Sequence, residues 1–464
     1  MKIIQSNAFD LYWKDYAVQE DDEDAAAVVK EIIAAVRKDG DKAVKHFASR
    51  FDKSSPQQLE VPMTEVKNAY SKLLADDPAL AEALEFAAEN IYRFSMKQRE
   101  QFADFEFETQ PGLFTGQRVI PVQRAGVYVP GGRFPLFSSV LMGLVPAFSA
   151  GVQEIAFASP PGENGFPDSK ILAAAAIAAA KTGVSDNRLR VFSMGGAQAI
   201  AALAFGTESV PRADVIAGPG NKYVAVAKRL LYGNAGIDFI AGPSDVLVIA
   251  DGSEQQKESV FAAHSAASAD AADPAAANAA DLAAADMIAQ AEHDPDARAR
   301  ALVPNMEFAR QIAACVEKRL ETLPTAATAR ASLENGLIIV YKNMEEAVRI
   351  TNTISPEHLE LQITDADAWI PHFKNYGSLF IGSLSAEVLG DYSAGINHTL
   401  PTSGSSRFTG GLSVRHFLKT VTTLRCVKDS GFDSACKAAE IIARAEGLEA
   451  HALSAACRTS AACP

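Results

Sequence analysis

Short apolar runs that meet glycine or proline recur through the middle of this 464-residue chain, at 154–158, 190–193, 213–217 and 245–250. They alternate with stretches of helical character. A strand covered on both faces reads as a continuous apolar run, and its parallel neighbour is reached only through a crossover, usually a helix. The alternation therefore predicts βα units around parallel sheets, a doubly wound, Rossmann-like α/β core. Residues 118–122, 126–129, 337–340 and 377–382 read as further strands, and a helix begins near Met344. Residues 20–105 place Val28, Val29, Ile32, Ile33 and Val36 at helical spacing and form a mainly helical opening. The last fifty residues read as helical, with an apolar stripe at Ala438, Ile441, Ile442, Ala445 and Leu448. Such a tail is an arm, and arms complete dimers.

The length suffices for two or three domains with separate cores. With 48% hydrophobic and 22% charged residues, the composition is that of a soluble globular protein. A net charge of −14 opposes nucleic acid and anionic membranes as partners and leaves small molecules. The cysteines, Cys315, Cys426, Cys436, Cys457 and Cys463, are odd in number and never in C-x-x-C spacing, so neither a disulfide framework nor a thiolate metal site is expected. The start, Met1-Lys2-Ile3-Ile4-Gln5-Ser6, lacks a signal-length apolar core. The alanine-rich 171–180 segment, bracketed by Lys170 and Lys181, reads as a buried helix rather than a membrane span, and the expected location is the cytoplasm. Residues 262–285 hold 15 alanines in 24 positions, broken at Asp273-Pro274. Two short helical pieces or a mobile surface excursion is expected there, with His264 too poorly supported to be a ligand.

Four blocks carry chemistry. In Gln290-Ala291-Glu292-His293, a helix would put Gln290 and His293 on one face, within reach of one ion. Asp391, in Gly390-Asp391-Tyr392, offers a carboxylate, with Asn397-His398 following, and a later histidine could add a second imidazole. Amide, imidazole and carboxylate without thiolate suit Zn²⁺ in an open, catalytic site. The plain alternatives are polar residues near a helix end and a solvated loop. Ser355-Pro356-Glu357-His358 reads as a helix start, with Ser355 capping and Pro356 at the first position. There the positive helix end would keep His358 neutral and available as a base, with Glu357 able to activate water. Two turns, Gly195-Gly196-Ala197-Gln198 and Gly218-Pro219-Gly220-Asn221, sit between strand and helix and could cradle phosphate. Neither is a full G-x-G-x-x-G, and each is explained equally by a tight turn needing positive φ. Metal, dinucleotide and general base together describe alcohol oxidation.

The chain resembles the histidinol dehydrogenase family over nearly its whole length. The resemblance is carried by Tyr128-Val129-Pro130-Gly131-Gly132, Gly196-Ala197-Gln198-Ala199-Ile200, Gly218-Pro219-Gly220-Asn221, Ala241-Gly242-Pro243-Ser244, the 290–293 and 355–358 blocks, Gly390-Asp391-Tyr392, Asn397-His398-Thr399-Leu400-Pro401-Thr402 and Ala445-Glu446-Gly447-Leu448-Glu449-Ala450-His451. It implies oxidation of L-histidinol through the aldehyde to L-histidine, with two NAD⁺ reduced, as the last step of histidine biosynthesis. One Zn²⁺ per subunit would be held by Gln290, His293, Asp391 and His451 and would anchor the substrate. His358 would be the base for the alcohol, and Glu357 would activate the water that attacks the aldehyde. Ser244, Gln290, His293, His358, Asp391, Glu446 and His451 would line the substrate pocket, and Tyr128, Gln198 and Asn221 would contact NAD. The implied fold has two Rossmann-like domains: 26–127 plus 241–408, carrying the metal and catalytic residues, and 128–240, binding NAD. An N-terminal segment, 1–25, precedes them. A C-terminal helical arm, 409–464, would reach the partner's site in a homodimer with shared active sites.

The sequence departs from the family at the alanine-rich tract, in the tail from Ala452 to Pro464, and at Arg133-Phe134-Pro135. The last variant resembles relatives that oxidise sulfopropanediol, because a guanidinium suits a sulfonate. Glu446 and His451 favour an imidazole-bearing substrate instead. A third alternative is a catalytically silent, nucleotide-binding oligomer, against which the Glu357-His358 pair weighs.

Overall fold

The computed structural model describes residues 1–16, 23–131, 135–240, 242–252 and 279–459. Its first sheet runs Lys2–Gln5, Leu337–Val340, Arg298–Val303, Asp245–Ala250, His358–Gln362, Ser378–Ile381, every neighbour parallel. Its second runs Glu60–Val61, Leu189–Ser193, Glu154–Ser159, Arg124–Tyr128, Val215–Ala217, Gly236–Ile237, parallel except for the antiparallel outer pair. Without the two outer strands, both sheets follow one chain order: third, second, first, fourth, fifth. Each is a Rossmann-like half whose order reverses between its first and fourth strands, and that reversal opens a crevice at the sheet edge.

The helical opening forms as Glu23–Phe51, Met63–Asp76 and Pro78–Arg99. The boundary expected from sequence grouped 26–127 with 241–408, and packing corrects it. Val29, Ile32 and Val36 are buried with Tyr128, Leu203 and Val224, while Val66, Leu84 and Ile91 are buried with Val127, Phe157 and Ile171. These helices thus complete the core of the second sheet. Helix Ser169–Lys181 presents mostly alanine, which lets Met63–Asp76 approach closely. No helix among the described residues is long and apolar enough to cross a membrane.

The last fifty residues are not all helical. Leu418–Cys426 pairs antiparallel with Leu113–Pro121, which pairs with Phe105–Gln110, in a three-stranded sheet bearing the arm helices Ser430–Ala445 and Glu449–Thr459. Threonine, valine and leucine alternating through 420–424 favour the strand. Phe105, Phe107, Leu424, Ile441, Ile442 and Leu453 all stand exposed on these elements.

One turn has a steric requirement. Gly218 follows strand Val215–Ala217 at φ 121, and a Cβ there would lie 2.0 Å from the carbonyl oxygen of Tyr128. Lys228 donates to the Gly218 carbonyl and pairs with buried Asp238, whose carboxylate accepts from the Gly218 N–H. Gly218→Ala is therefore expected to lose more than about 2 kcal/mol of stability in urea unfolding, since it adds both a clash and a forbidden φ.

Candidate active site

The 355–358 block is not a helix start. Helix Met344–Ile354 ends there, Ser355 takes a left-handed C-cap conformation at φ 58, and His358 opens strand His358–Gln362. The strand wins because His358-Leu359-Glu360-Leu361-Gln362 alternates polar and apolar residues. Leu359 and Leu361 face one core with Leu247 and Ile249. His358, Glu360 and Gln362 pair in register with Val246, Val248 and Ala250, on the face covered by helix Ala279–Ala291. With no helix N-terminus beside it, His358 is not kept neutral in the way the sequence suggested.

Carboxylates surround it instead. Nδ1 lies 3.3 Å from Glu387 Oε1, 3.3 Å from the Asp245 carbonyl oxygen and 4.0 Å from Glu357 Oε2, and Nε2 lies 3.4 Å from Asp391 Oδ1. Burial alone would lower the imidazole's pKa, but Glu387, Glu357 and Asp391 outweigh it and raise it well above the ordinary histidine value. Burial pushes the Glu357 carboxyl up to about 8, against the pull of His358 and with help from Asp245. At Asp391 burial raises the pKa, but His358, with His398 and His293 behind it, holds the carboxyl below its usual value. Because only acceptors face Nδ1, it must carry a proton, and Nε2 is the nitrogen turned toward Asp391.

Two helices supply this cluster by the same device. Glu387 and Asp391, four residues apart in Glu387–Tyr392, are both buried toward His358. Asp286 and Gln290, four apart in Ala279–Ala291, are both buried over the polar face of the neighbouring strand, where Gln362 donates to Asp286 at 2.8 Å and to Glu360 at 2.9 Å. Sequence reasoning passed over Glu387, Glu360, Asp286 and Asp245. The four-residue spacings and the alternation after Glu357 were the available signals.

Of the expected metal ligands, Gln290 is 1% exposed and its Oε1 has no hydrogen-bond partner among the described residues. His293 lies exposed in the turn after the helix rather than on it, yet its charge acts on Asp391. His398 donates through Nδ1 to the Asp391 carbonyl at 2.8 Å and meets Ser139 through Nε2 at 2.8 Å. Among the described residues, His358, Glu387 and Asp391 also stand close enough to share an ion. Glu446 caps Ser430–Ala445, His451 lies on the last helix, and both are exposed on the arm with no side-chain bond to the cluster. Ser244, half-buried, precedes strand Asp245–Ala250. His264 and Arg133 lie outside the described residues, as does most of the alanine-rich tract.

Ser244, Asp245, Glu357 and His358 sit at the N-terminal edge of the first sheet. Tyr128, Gln198 and Asn221 sit at the C-terminal edge of the second, where they line one cavity of about 750 Å³ with Asp52, Gly131 and Gly196. The Tyr128 hydroxyl accepts from the Gly196 N–H at 3.0 Å, Gln198 opens helix Gly196–Phe205, and Asn221 caps Lys222–Leu231 by accepting from Tyr223 and Val224. Two helix N-termini thus meet in a cavity of nucleotide size. Burial pushes the Asp52 carboxyl in this cavity up to about 6. Helix Phe137–Ala150 joins the two edges through the Ser139–His398 contact and a 2.8 Å bond from Asn397 to the Met142 carbonyl.

Paired Rossmann-like sheets, a nucleotide-sized cavity at one edge and a buried acid–base cluster at the other define an oxidoreductase. Residues 16–459 match the histidinol dehydrogenase family. The histidinol dehydrogenase of Aquifex aeolicus is 43% identical over 92% of this chain and 90% of its own length, and that of Thermus thermophilus is 42% identical over 92% and 93%. The crystal structure of histidinol dehydrogenase from Elizabethkingia anophelis superposes with a TM-score of 0.84 at 33% identity, covering 98% of this chain and 97% of that one. The chain belongs to the histidinol dehydrogenase family.

Proposed function

We propose that this protein oxidises L-histidinol to L-histidine through the aldehyde, using two NAD⁺, with one zinc ion per subunit. The observation that carries this reading is the buried Glu357–His358 pair: two groups able to take protons, adjacent in sequence and held by different partners. The domain with the 245–381 sheet would carry the metal and catalytic groups, and the 128–240 domain would carry NAD, contacted by Tyr128, Gln198 and Asn221.

The residues present fit a divalent cation. An amide oxygen at Gln290 with no hydrogen-bond partner among the described residues and a carboxylate held below its usual pKa at Asp391 are donors that suit such a cation, and His293 acts electrostatically on Asp391. His451 of a second subunit would complete the set. Bound zinc would supply a fixed anchor for the imidazole and amine of the substrate, with Ser244, Glu446 and His358 lining the rest of its pocket. A cation held by Asp391 would offset part of the charge that favours the protonated His358 ring, and Nε2 would then be the atom that takes the alcohol proton. Bound NAD⁺ would supply the hydride acceptor. Glu357 takes the proton of the water that adds to the aldehyde.

A homodimer is part of the proposal. The arm exposes Ile441, Ile442, Leu448 and Leu453, and the mouth of the site exposes Leu384, Val388, Leu389 and Tyr392. Burying the first set against a partner would bring Glu446 and His451 to the second set, and exposed apolar surface of this extent marks an interface. Purified zinc-loaded protein is expected to reduce NAD⁺ with L-histidinol and not with dihydroxypropanesulfonate. Turnover of the sulfonate alone, or nucleotide binding without turnover of either, overturns the reading. Gln290→Ala is expected to lose at least about tenfold in zinc affinity by metal titration and to raise KM for L-histidinol.

A further inference from the structure

We infer that Asp245 is a positioning residue for Glu357 that governs the second oxidation, a step resting on the proposal that Glu357 takes the water proton. Asp245 opens one strand, Glu357 immediately precedes the neighbouring parallel strand, and each side chain grips the other's backbone. The Asp245 N–H donates to Glu357 Oε2 at 3.0 Å, and the Glu357 N–H donates to Asp245 Oδ1 at 2.9 Å. The second Asp245 oxygen, Oδ2, accepts from Arg300 Nη1 at 2.8 Å. Arg300 is wholly buried on the next strand, Arg298–Val303, and its guanidinium lies 5.5 Å from the ring centre of Trp13.

The consequence for Glu357 is directional. Its Oε2 is committed to Asp245, so Oε1 is the oxygen left to meet water, and the side chain cannot swing between rotamers without breaking the grip. The buried negative charge of Asp245 also opposes ionisation of Glu357, which makes the ionised form a stronger base. Arg300 and Asp245 form an ion pair buried on both sides. His358 depends on Asp245 only through the main-chain carbonyl, which a side-chain substitution leaves in place.

Glu357 takes a proton from water as the water oxygen bonds to the aldehyde carbon and the C=O π pair moves onto the carbonyl oxygen, giving the anion of the hydrate. The C–H bond of that carbon then breaks, its two electrons and hydrogen pass to the nicotinamide, the carboxylic acid forms, and its O–H proton is released to leave the carboxylate. Aldehyde, water and NAD⁺ give carboxylate, NADH and two protons. The first oxidation contains no water step.

The test uses the full-length, zinc-loaded enzyme with L-histidinol, NAD⁺ and semicarbazide to capture any aldehyde. Asp245→Asn would strand the Arg300 charge, so the paired variant Asp245→Asn/Arg300→Met, which removes both charges, is measured beside it. In both, the second oxidation is expected to fall about 10–100-fold relative to the first, with trapped aldehyde appearing and the NADH yield moving from two toward one per substrate. Asp245→Glu, which keeps the carboxylate, restores the yield. An unchanged ratio of the two steps in the paired variant, or equal loss of both, overturns the inference. Glu357→Gln separates the failures: if it stalls the second step while the paired variant does not, only the role of Asp245 falls, and if it stalls nothing, the role of Glu357 falls with it.

Discussion

Glu357→Gln is expected to stop the reaction at the aldehyde. The amide keeps the shape of the side chain and an oxygen for the Asp245 N–H, but it cannot take a proton from water. The second oxidation should fall about 10²–10⁴-fold, while the first, in which Glu357 accepts no proton, continues. Rapid-mixing traces would show one NADH formed and the next delayed. Release of histidine at the normal rate would contradict the assignment. The same residue sets a pH dependence. Its carboxyl is held at about 8, chiefly by burial, so the base form grows and the wild-type aldehyde step accelerates as pH rises through that value. The sign for stability is opposite. A glutamic acid raised from 4.5 contributes stability that is fully present below its unfolded pKa and is lost as pH rises through about 8. Glu357→Gln should therefore gain stability relative to wild type between those values, measurable as a difference in urea midpoint at pH 5 and pH 8.

His358→Asn is expected to remove the alcohol oxidation, with a loss of about 10²–10⁴-fold in kcat and little change in zinc content. Asparagine can hydrogen-bond to Glu387 or Asp245 but cannot accept a proton at the position of Nε2. The loss should fall on kcat rather than KM, because Gln290, His293 and Asp391 would still anchor the substrate. A large rise in KM with kcat preserved would make His358 a binding residue instead. Its neighbour Glu387, 3.3 Å from Nδ1, holds the ring in the orientation that points Nε2 at the site.

The parallel-sheet architecture was legible because its strands are buried on both faces. Asp245–Ala250, apolar after its first residue, and Leu337–Val340, apolar throughout, both occur with the bounds their pattern suggests. His358–Gln362 escaped notice because Ser-Pro before an acidic residue is a strong helix-start signal, and tertiary placement beside Asp245–Ala250 overrode it. In the three-stranded sheet of the arm, Leu113–Pro121 overlaps the run read as a strand at 118–122, whereas the helical reading of the last fifty residues covered Leu418–Cys426. The grouping of residues 23–99 with the second sheet depends on which core the helices cover, and an amphipathic stripe does not name its partner. In the site, the residues that resemble the family were visible as motifs. Glu387, Glu360, Asp286 and Asp245 were not, because a lone acidic residue in a helix or strand usually faces solvent. Only the fold buries all four, setting Glu387 and Asp245 beside His358 and Glu360 and Asp286 around Gln362.

The central claim, that one site performs two successive oxidations of the same amino alcohol, is tested most directly by an end-point count. A known, limiting amount of L-histidinol is consumed to completion by zinc-loaded protein in excess NAD⁺, and NADH and amino-acid product are both quantified. Two NADH and one L-histidine per L-histidinol are the expected result. One NADH with accumulation of aldehyde, or no NADH from protein shown to carry zinc, would contradict the account.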